Sequence, residues 1–263
     1  MAPITGPAQR ELLSTADALR LEGVSKRFGA LQAVEDVSFS VAAGERRAVI
    51  GANGAGKTTL FNVITGDYPA SAGRVRFFGD DVTTHQPYER IRAGMRRTYQ
   101  SSLLFRDLTV RDNLFLAVRG VSRGRFNFVR PGRGSTTRAA AQDLLERVRL
   151  AHVGDEPVAS LSHGQQRQLE VGMALAGAPR LILFDEPAAG LSPAERRELV
   201  ALLAALPAHM SFILIEHDLE IALRVVDRVT VLHNGRVLKE GTPDEIENDP
   251  EVQEIYMGRA GHA

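Results

Sequence analysis

The sequence predicts an α/β fold built on a parallel sheet, from two observations. Short apolar segments, "ERRAVI" (45–50), "RLILF" (180–184) and "SFILIE" (211–216), alternate with helix-like stretches, as in strands joined by crossover helices. Each is followed by Gly-rich or polar sequence: Gly51 to Thr59 after the first, Asp185-Glu186 after the second, His217 after the third. Ligands of open α/β sheets sit beyond the carboxyl ends of the strands. Neighbouring strands would therefore bring these three groups to one pocket.

Composition bounds the rest. At 263 residues the chain can bury a sizeable core, as one large domain or two lobes. With 24% charged and 44% hydrophobic residues, it is not a wholly disordered chain. Thirty-two basic side chains balance 32 acidic ones, so no global field points to nucleic acid or to an acidic membrane surface. The lack of cysteine excludes disulfides and thiolate metal sites, and allows a reducing compartment. There is no basic-flanked apolar core near the N-terminus, and no run approaches the roughly 18 apolar residues of a membrane span. A soluble, cytoplasmic chain is expected.

In chain order, residues 1–18 read as a tail. From Leu19 to Val41, alternating segments predict antiparallel strands. "KTTLFNVITG" predicts a helix with Leu60, Val63 and Ile64 on one face and Gly66 as its stop. "RVRFFGDDV" predicts a strand and turn, and "TVRDNLFLAV" and "TTRAAAQDLLERVRL" two more helices. The Arg/Gly-rich stretch between those helices, 119–135, could serve as a basic contact loop but reads better as a solvated, partly disordered one. Helices are expected from Pro193 and from Asp218, then a hairpin at Asn234-Gly235. Thr242 and Glu245 stand at capping-box spacing before a terminal helix.

"GANGAGKTT" fits G-x-x-x-x-G-K-[ST], whose glycines let backbone N–H groups curl inward around phosphate. The expected cradle is Gly51, Ala52, Asn53, Gly54, Ala55, Gly56, Lys57, Thr58 and Thr59. Lys57, one of only three lysines among many arginines, supplies a compact cation, and the Thr58 hydroxyl suits Mg²⁺. Adjacent strand residues point opposite ways, which separates the roles of Asp185 and Glu186. Asp185 is placed to hold Mg²⁺ through water. Glu186 is the better candidate to orient and deprotonate an attacking water, worth about 10²–10⁴ in rate. His217, at the same sheet edge, is expected to hydrogen-bond the γ-phosphate or the water. The amide of Gln100, in "RRTYQ", could reach metal or water, although its spacing alone is that of an ordinary loop residue.

"LSHGQQRQLE" (161–170) poses a separate question. Ser162 and Gln165 form S-x-x-Q, a helix cap, followed by Leu169, Gly172, Met173 and Ala176 on one face. A Ser-His nucleophile pair is a poor reading, since adjacent residues rarely place a hydroxyl on an imidazole and no third group is evident. Ser, Gly and unpaired helix N–H groups also make an anion site. Because the chain's own nucleotide already has a cradle, the economical use of this second site is to close over the nucleotide of another copy.

In order, "GANGAGKTT", "LSHGQ", "LILFDE", "AAGLS" and "EHD" resemble the motifs of the ATP-binding cassette (ABC) ATPases, over nearly the whole chain from about Leu19. The resemblance implies a P-loop NTPase with a RecA-like core (19–100 and 178–235) and an antiparallel β subdomain. It also implies an inserted α-helical subdomain (101–177), a C-terminal segment (236–258) and a short tail (259–263). A head-to-tail dimer would sandwich ATP and Mg²⁺ between one copy's phosphate loop and the other's signature. Phe28, in "KRFGALQAV", would stack on adenine, and Gln100 would be the Q-loop residue. Lys57, Glu186 and His217 would act in catalysis, and Thr58, Gln100 and Asp185 at the metal. Ser162, His163, Gly164 and Gln165 would serve the opposite site. "AAGLS" (188–192) would cross the dimer interface, while Ser192-Pro193 with Glu195 also caps a helix. His163 stands where the family has Gly; a side chain narrows the backbone angles available, and outward exposure of the ring is expected over a donor placed near the γ-phosphate.

Within the family, "RTYQSSLLFRDLTVRDNLFLAV", "DEPAAGLSP", "LIEHDLEIAL" and "GTPDEIENDPEVQEIYMG" look like the ATPase subunits of branched-chain amino acid importers. Urea and short-amide importers and lipopolysaccharide-exporting ATPases are similar. The implied partners are a second cassette, identical or paralogous, transmembrane permease subunits at the inner face of the cell membrane, and an extracytoplasmic solute-binding protein. No nucleic acid is implied. Residues 100–118 would form a groove for a permease helix. A non-transport cassette would need a second cassette or a long coiled-coil insertion. A simple P-loop kinase or switch NTPase would leave "LSHGQ" and His217 unused.

Overall fold

The computed structural model describes residues 17–98, 104–121 and 136–257, in two compact units: Gly94–Leu206, and the segments on either side of it. In the flanking unit, β1 (Asp17–Phe28) and β2 (Leu31–Ala42) pair antiparallel, with Leu19 opposite Val41 and Val24 opposite Val37. Val37, Phe39 and Val41 are buried while Asp36 and Ser38 are exposed, the period of a half-buried strand. Pairing already begins at Asp17, and Ala18 is fully buried, so these two residues belong to the sheet and not to the expected tail. Residues 1–16 lie outside the described residues.

β3 (Arg46–Ile50) runs into residues 51–56, and α1 (Lys57–Thr65) buries Leu60, Val63 and Ile64 and stops at a left-handed Gly66, as expected. β4 (Ala72–Phe77) and β5 (Asp80–Asp81) complete an antiparallel sheet in the order β2-β1-β4-β5. Helix α2 (Pro87–Ala93) was not legible in the sequence, being too short for an apolar period to show. Its Arg90, 2% exposed, donates to the carbonyls of Val63 (2.8 Å), Ile64 (2.5 Å), Thr83 (3.0 Å) and His85 (3.1 Å). Val63 and Ile64 lie in the last turn of α1, where unpaired carbonyls and the helix dipole favour a cation. Burial brings the guanidinium down to about 10, which leaves it charged at neutral pH.

In the second unit, β6 (Met95–Arg97) and β7 (Leu181–Asp185) pair parallel, Met95 with Leu181 and Arg97 with Leu183. Helices α3 (Val110–Val121), α4 (Thr136–Arg147) and α5 (His163–Ala174) bury Val110, Leu114, Leu145 and Leu169 among them. α6 (Pro193–Ala204) lies against α5. The helical subdomain expected at 101–177 thus sits within a larger unit, tied together by the β6–β7 pairing and the α5–α6 contact. α3 takes in residues 119–121 of the expected loop, and 122–135 lie outside the described residues. α5 ends at Ala174, so Ala176 falls beyond the face predicted for it.

The chain then returns to the flanking unit with β8 (Ser211–Ile215), α7 (Leu219–Leu223), β9 (Arg228–His233) and β10 (Arg236–Gly241). β3 runs parallel to both β8, Val49 opposite Ile215, and β9, Ile50 opposite Val231. The carboxyl ends of these three strands therefore share one edge. Asn234 (φ 48) and Gly235 (φ 79) make the expected hairpin turn. α8 (Pro243–Glu247), capped by the Thr242/Glu245 box, and α9 (Pro250–Met257) end the described chain. Among the described residues no helix is long and apolar enough to cross a membrane. Replacing Arg90 by Met should lower the unfolding free energy by about 2–4 kcal/mol, measured by urea denaturation, because buried carbonyls lose a charged donor.

Candidate active site

The loop between β3 and α1 is shaped by what it excludes. Gly56 holds φ +100, and a Cβ there would lie 2.5 Å from the Ala33 carbonyl oxygen, so no other residue fits. α1 opens directly on Gly56 and leaves its first-turn N–H groups without intrahelical partners, the donors a phosphate needs. Lys57 is buried, and its Nζ donates to the carbonyls of Gly51 (2.7 Å) and Ala52 (3.1 Å), strapping the loop across its mouth. The hairpin turn supports the same loop from outside: the Gly235 N–H donates to the Ala55 carbonyl at 3.0 Å. Asn53, Gly54 and Thr58 are exposed, and Thr59 is half-buried.

Phe28 is 41% exposed at the end of β1, with Tyr68 edge-on at 5.3 Å and the Lys26 ammonium 4.9 Å from its ring centre. An exposed aromatic braced in this way can stack on a planar base. His217 follows β8, and its exposed ring has Nδ1 4.0 Å from the fully buried Glu216 Oε2. Since β8 is the neighbour of β3, the flanking unit brings His217 to the same sheet edge as residues 51–59, as expected. The sequence reading passed over Glu216.

Asp185 and Glu186 belong to the other unit. All five residues of β7 are buried, and Asp185 is only 1% exposed. Its Oδ2 accepts from the Arg97 guanidinium at 2.6 Å, while Oδ1 is buried and has no hydrogen-bond partner among the described residues. Glu186 is half-buried and leaves the strand with φ 47. Glu186 therefore lies outside the strand, and the strand alternation suggested by the sequence stops at Asp185. An orphaned buried carboxylate oxygen suits a divalent cation. Among the described residues no three His, Cys, Asp or Glu side chains cluster as metal ligands. A cation here would complete its shell with hydroxyl, water and substrate phosphate, which is the habit of Mg²⁺. Gln100 lies outside the described residues.

The signature segment forms a full capping box. Ser162 Oγ accepts the Gln165 N–H at 3.2 Å, and Gln165 Oε1 accepts the Ser162 N–H at 2.9 Å. The exposed His163 ring has Nε2 3.3 Å from the Ala189 carbonyl, and Ser162 Oγ donates to Glu195 Oε1 at 3.3 Å. Neither contact is that of a nucleophile with its base. Glu195 also accepts the Gly164 N–H at 2.9 Å. The Ser192 N–H and hydroxyl, then the Gly164 N–H, hold its carboxyl down at about 2. Neither this contact nor Arg97 on Asp185 was foreseen; in the sequence Glu195 reads only as the partner of Ser192.

A strand, glycine loop and helix, a buried strand-end Asp and a second helix with a full capping box define a P-loop ATPase cassette. The chain belongs to the ABC transporter family, which it matches over residues 34–189. Residues 236–262 also match the family described as branched-chain amino acid ATP-binding cassette transporter. The high-affinity branched-chain amino acid transport ATP-binding protein BraF of Pseudomonas aeruginosa is 36% identical over 250 residues, spanning 92% of this chain and 98% of that relative. The corresponding LivG protein of Escherichia coli K12 is 37% identical over 253 residues, with the same two coverages, 92% and 98%. Among solved structures, the ADP conformation of MJ1267, an ATP-binding cassette of an ABC transporter, aligns with a TM-score of 0.82 at 34% identity, covering 93% of this chain and 100% of MJ1267. The expected fold class and ATP hydrolysis follow from this membership. Gly56→Ala should weaken nucleotide binding at least about tenfold in a fluorescent-ADP titration, since strain of roughly 1–3 kcal/mol must distort the cradle.

Proposed function

We propose that the chain is the ATPase subunit of a branched-chain amino acid importer, acting as one of a pair of cassettes beneath permease subunits. The observation that carries the solute class is the match of residues 236–262. It favours this reading over urea, amide or lipopolysaccharide transport. Phe28 stacks on adenine, and Lys57 with the amides of residues 51–59 binds the phosphates. Thr58, Asp185 and Gln100 hold Mg²⁺, which neutralises charge on the phosphates when bound. Glu186 orients a water and takes its proton, and His217 hydrogen-bonds the γ-phosphate or that water. Ser162, His163, Gly164 and Gln165 of a second copy, identical or paralogous, close the site from the other side.

Phe105, Leu108 and Leu116 are exposed apolar residues in the segment assigned to the permease. Buried Asn113 holds the loop that carries Phe105 and Leu108, its Nδ2 donating to the carbonyls of Phe105 (3.0 Å) and Thr109 (2.9 Å) and its Oδ1 accepting the Phe105 N–H at 2.9 Å. A cytoplasmic helix of the permease docks there and holds the cassette at the inner face of the membrane. An extracytoplasmic binding protein delivers the amino acid. ATP closes the pair and drives the permease to its other state, and hydrolysis resets it.

Glu186→Gln should lower ATP hydrolysis about 10²–10⁴-fold and trap an ATP-bound dimer in gel filtration. Hydrolysis at the parental rate would exclude Glu186 as the base. The intact membrane complex, reconstituted in vesicles, should accumulate labelled leucine when ATP is supplied inside; uptake of urea in its place would overturn the solute class.

A further inference from the structure

Glu195 joins two motifs with one carboxylate, and what this means rests on the reading above that Ser162 and Gly164 receive a second copy's γ-phosphate. Its Oε2 accepts the Ser192 N–H (3.0 Å) and hydroxyl (2.8 Å), completing the cap of α6. Its Oε1 accepts the Gly164 N–H (2.9 Å) and the Ser162 hydroxyl (3.3 Å). Those are the two donors the incoming phosphate requires. A Cβ at position 164 would lie 2.6–2.8 Å from three Glu195 side-chain atoms, so the glycine is matched to the carboxylate seated over it. The start of α5 draws an anion through unpaired N–H groups and the helix dipole. The protein supplies one of its own.

We infer that Glu195 is a positioning residue that sets the ATP requirement for closing the pair. While a copy is alone, its carboxylate orients Ser162 and Gly164. It must leave them before the second copy's γ-phosphate can bind, because two anions at hydrogen-bond distance on the same donors repel each other. The same side chain caps α6 immediately after residues 188–192, so its release also reaches the segment assigned to the interface. His163, with Nε2 on the Ala189 carbonyl, is a second tie between the same two segments.

Glu195→Gln isolates the effect. A glutamine amide oxygen can keep the cap of α6, as S-x-x-Q does, while presenting no anion to Gly164. The full-length chain in the Glu186→Gln background is titrated with MgATP and followed by sedimentation velocity. Adding Glu195→Gln is expected to lower the ATP midpoint of dimerisation about tenfold while leaving ADP affinity unchanged. Glu195→Asp, one methylene shorter and withdrawn from Gly164, should move the midpoint in the same direction and serves if the glutamine variant does not fold. A dimer that forms with an unmoved or higher midpoint overturns this inference alone. Failure of the Glu186→Gln chain to dimerise with ATP at all overturns the signature reading itself, and this inference with it.

Discussion

A strand-to-helix turn with no room for a side chain is the constraint on which the flanking unit is built. Position 56 is closed in by the Ala33 carbonyl on one side and the Gly235 backbone on another. The loop is therefore clamped between the start of β2 and the tip of the β9–β10 hairpin, segments far apart in the sequence. Lys57 holds the mouth from within, its ammonium on the carbonyls of Gly51 and Ala52. Arg90 fixes the far end of α1 by taking up its last-turn carbonyls. Both ends of the phosphate helix are thus set before a nucleotide arrives, which reduces the ordering that binding would otherwise have to impose.

The other unit places two adjacent acids at the end of a buried strand. Asp185 is buried with Arg97 on one oxygen and, among the described residues, no partner on the other. Glu186 sits in a left-handed conformation that costs on the order of 1–3 kcal/mol for a non-glycine residue. Such strain persists only when the surroundings over-determine it, and the fully buried strand β7 does so from the N-terminal side. An orphaned oxygen and a strained backbone coincide at the two residues assigned to metal and water. Structural acids at strand ends have no reason to accumulate both features.

Local signals were legible in the sequence and long-range ones were not. The capping boxes at Ser162, Ser192 and Thr242, the stop at Gly66 and the Asn234-Gly235 turn each depend on residues within three or four positions, and all stand as read. Arg90, Arg97 and Glu195 escaped because their partners are decided by packing. Arg90 reaches back to Val63, Arg97 forward to Asp185, and Glu195 back to Ser162 and Gly164. In the sequence each is one charged residue among many. Glu195 was doubly hidden, because its local role as a cap already accounted for it. Alternation was read across Asp185 and Glu186, whereas the strand ends at Asp185 and the turn that follows is visible only in the positive φ of Glu186.

His163 separates two requirements that the family's paired glycines conceal. It is the first residue of α5 and is absent from the positive-φ residues, so the narrowing of backbone angles expected from a side chain costs nothing there. Gly164 is different: a Cβ there would meet the Glu195 side chain, so a larger residue would have to displace that carboxylate, a matter of space and not of angle. The first position is therefore free to carry any residue that points outward, while the second can do so only if Glu195 moves. The exposed imidazole uses that freedom to reach Ala189, within the segment assigned to the interface. Donation to a carbonyl requires a proton on Nε2, which both the imidazolium and one neutral tautomer provide. The tie joins the signature to its neighbouring loop.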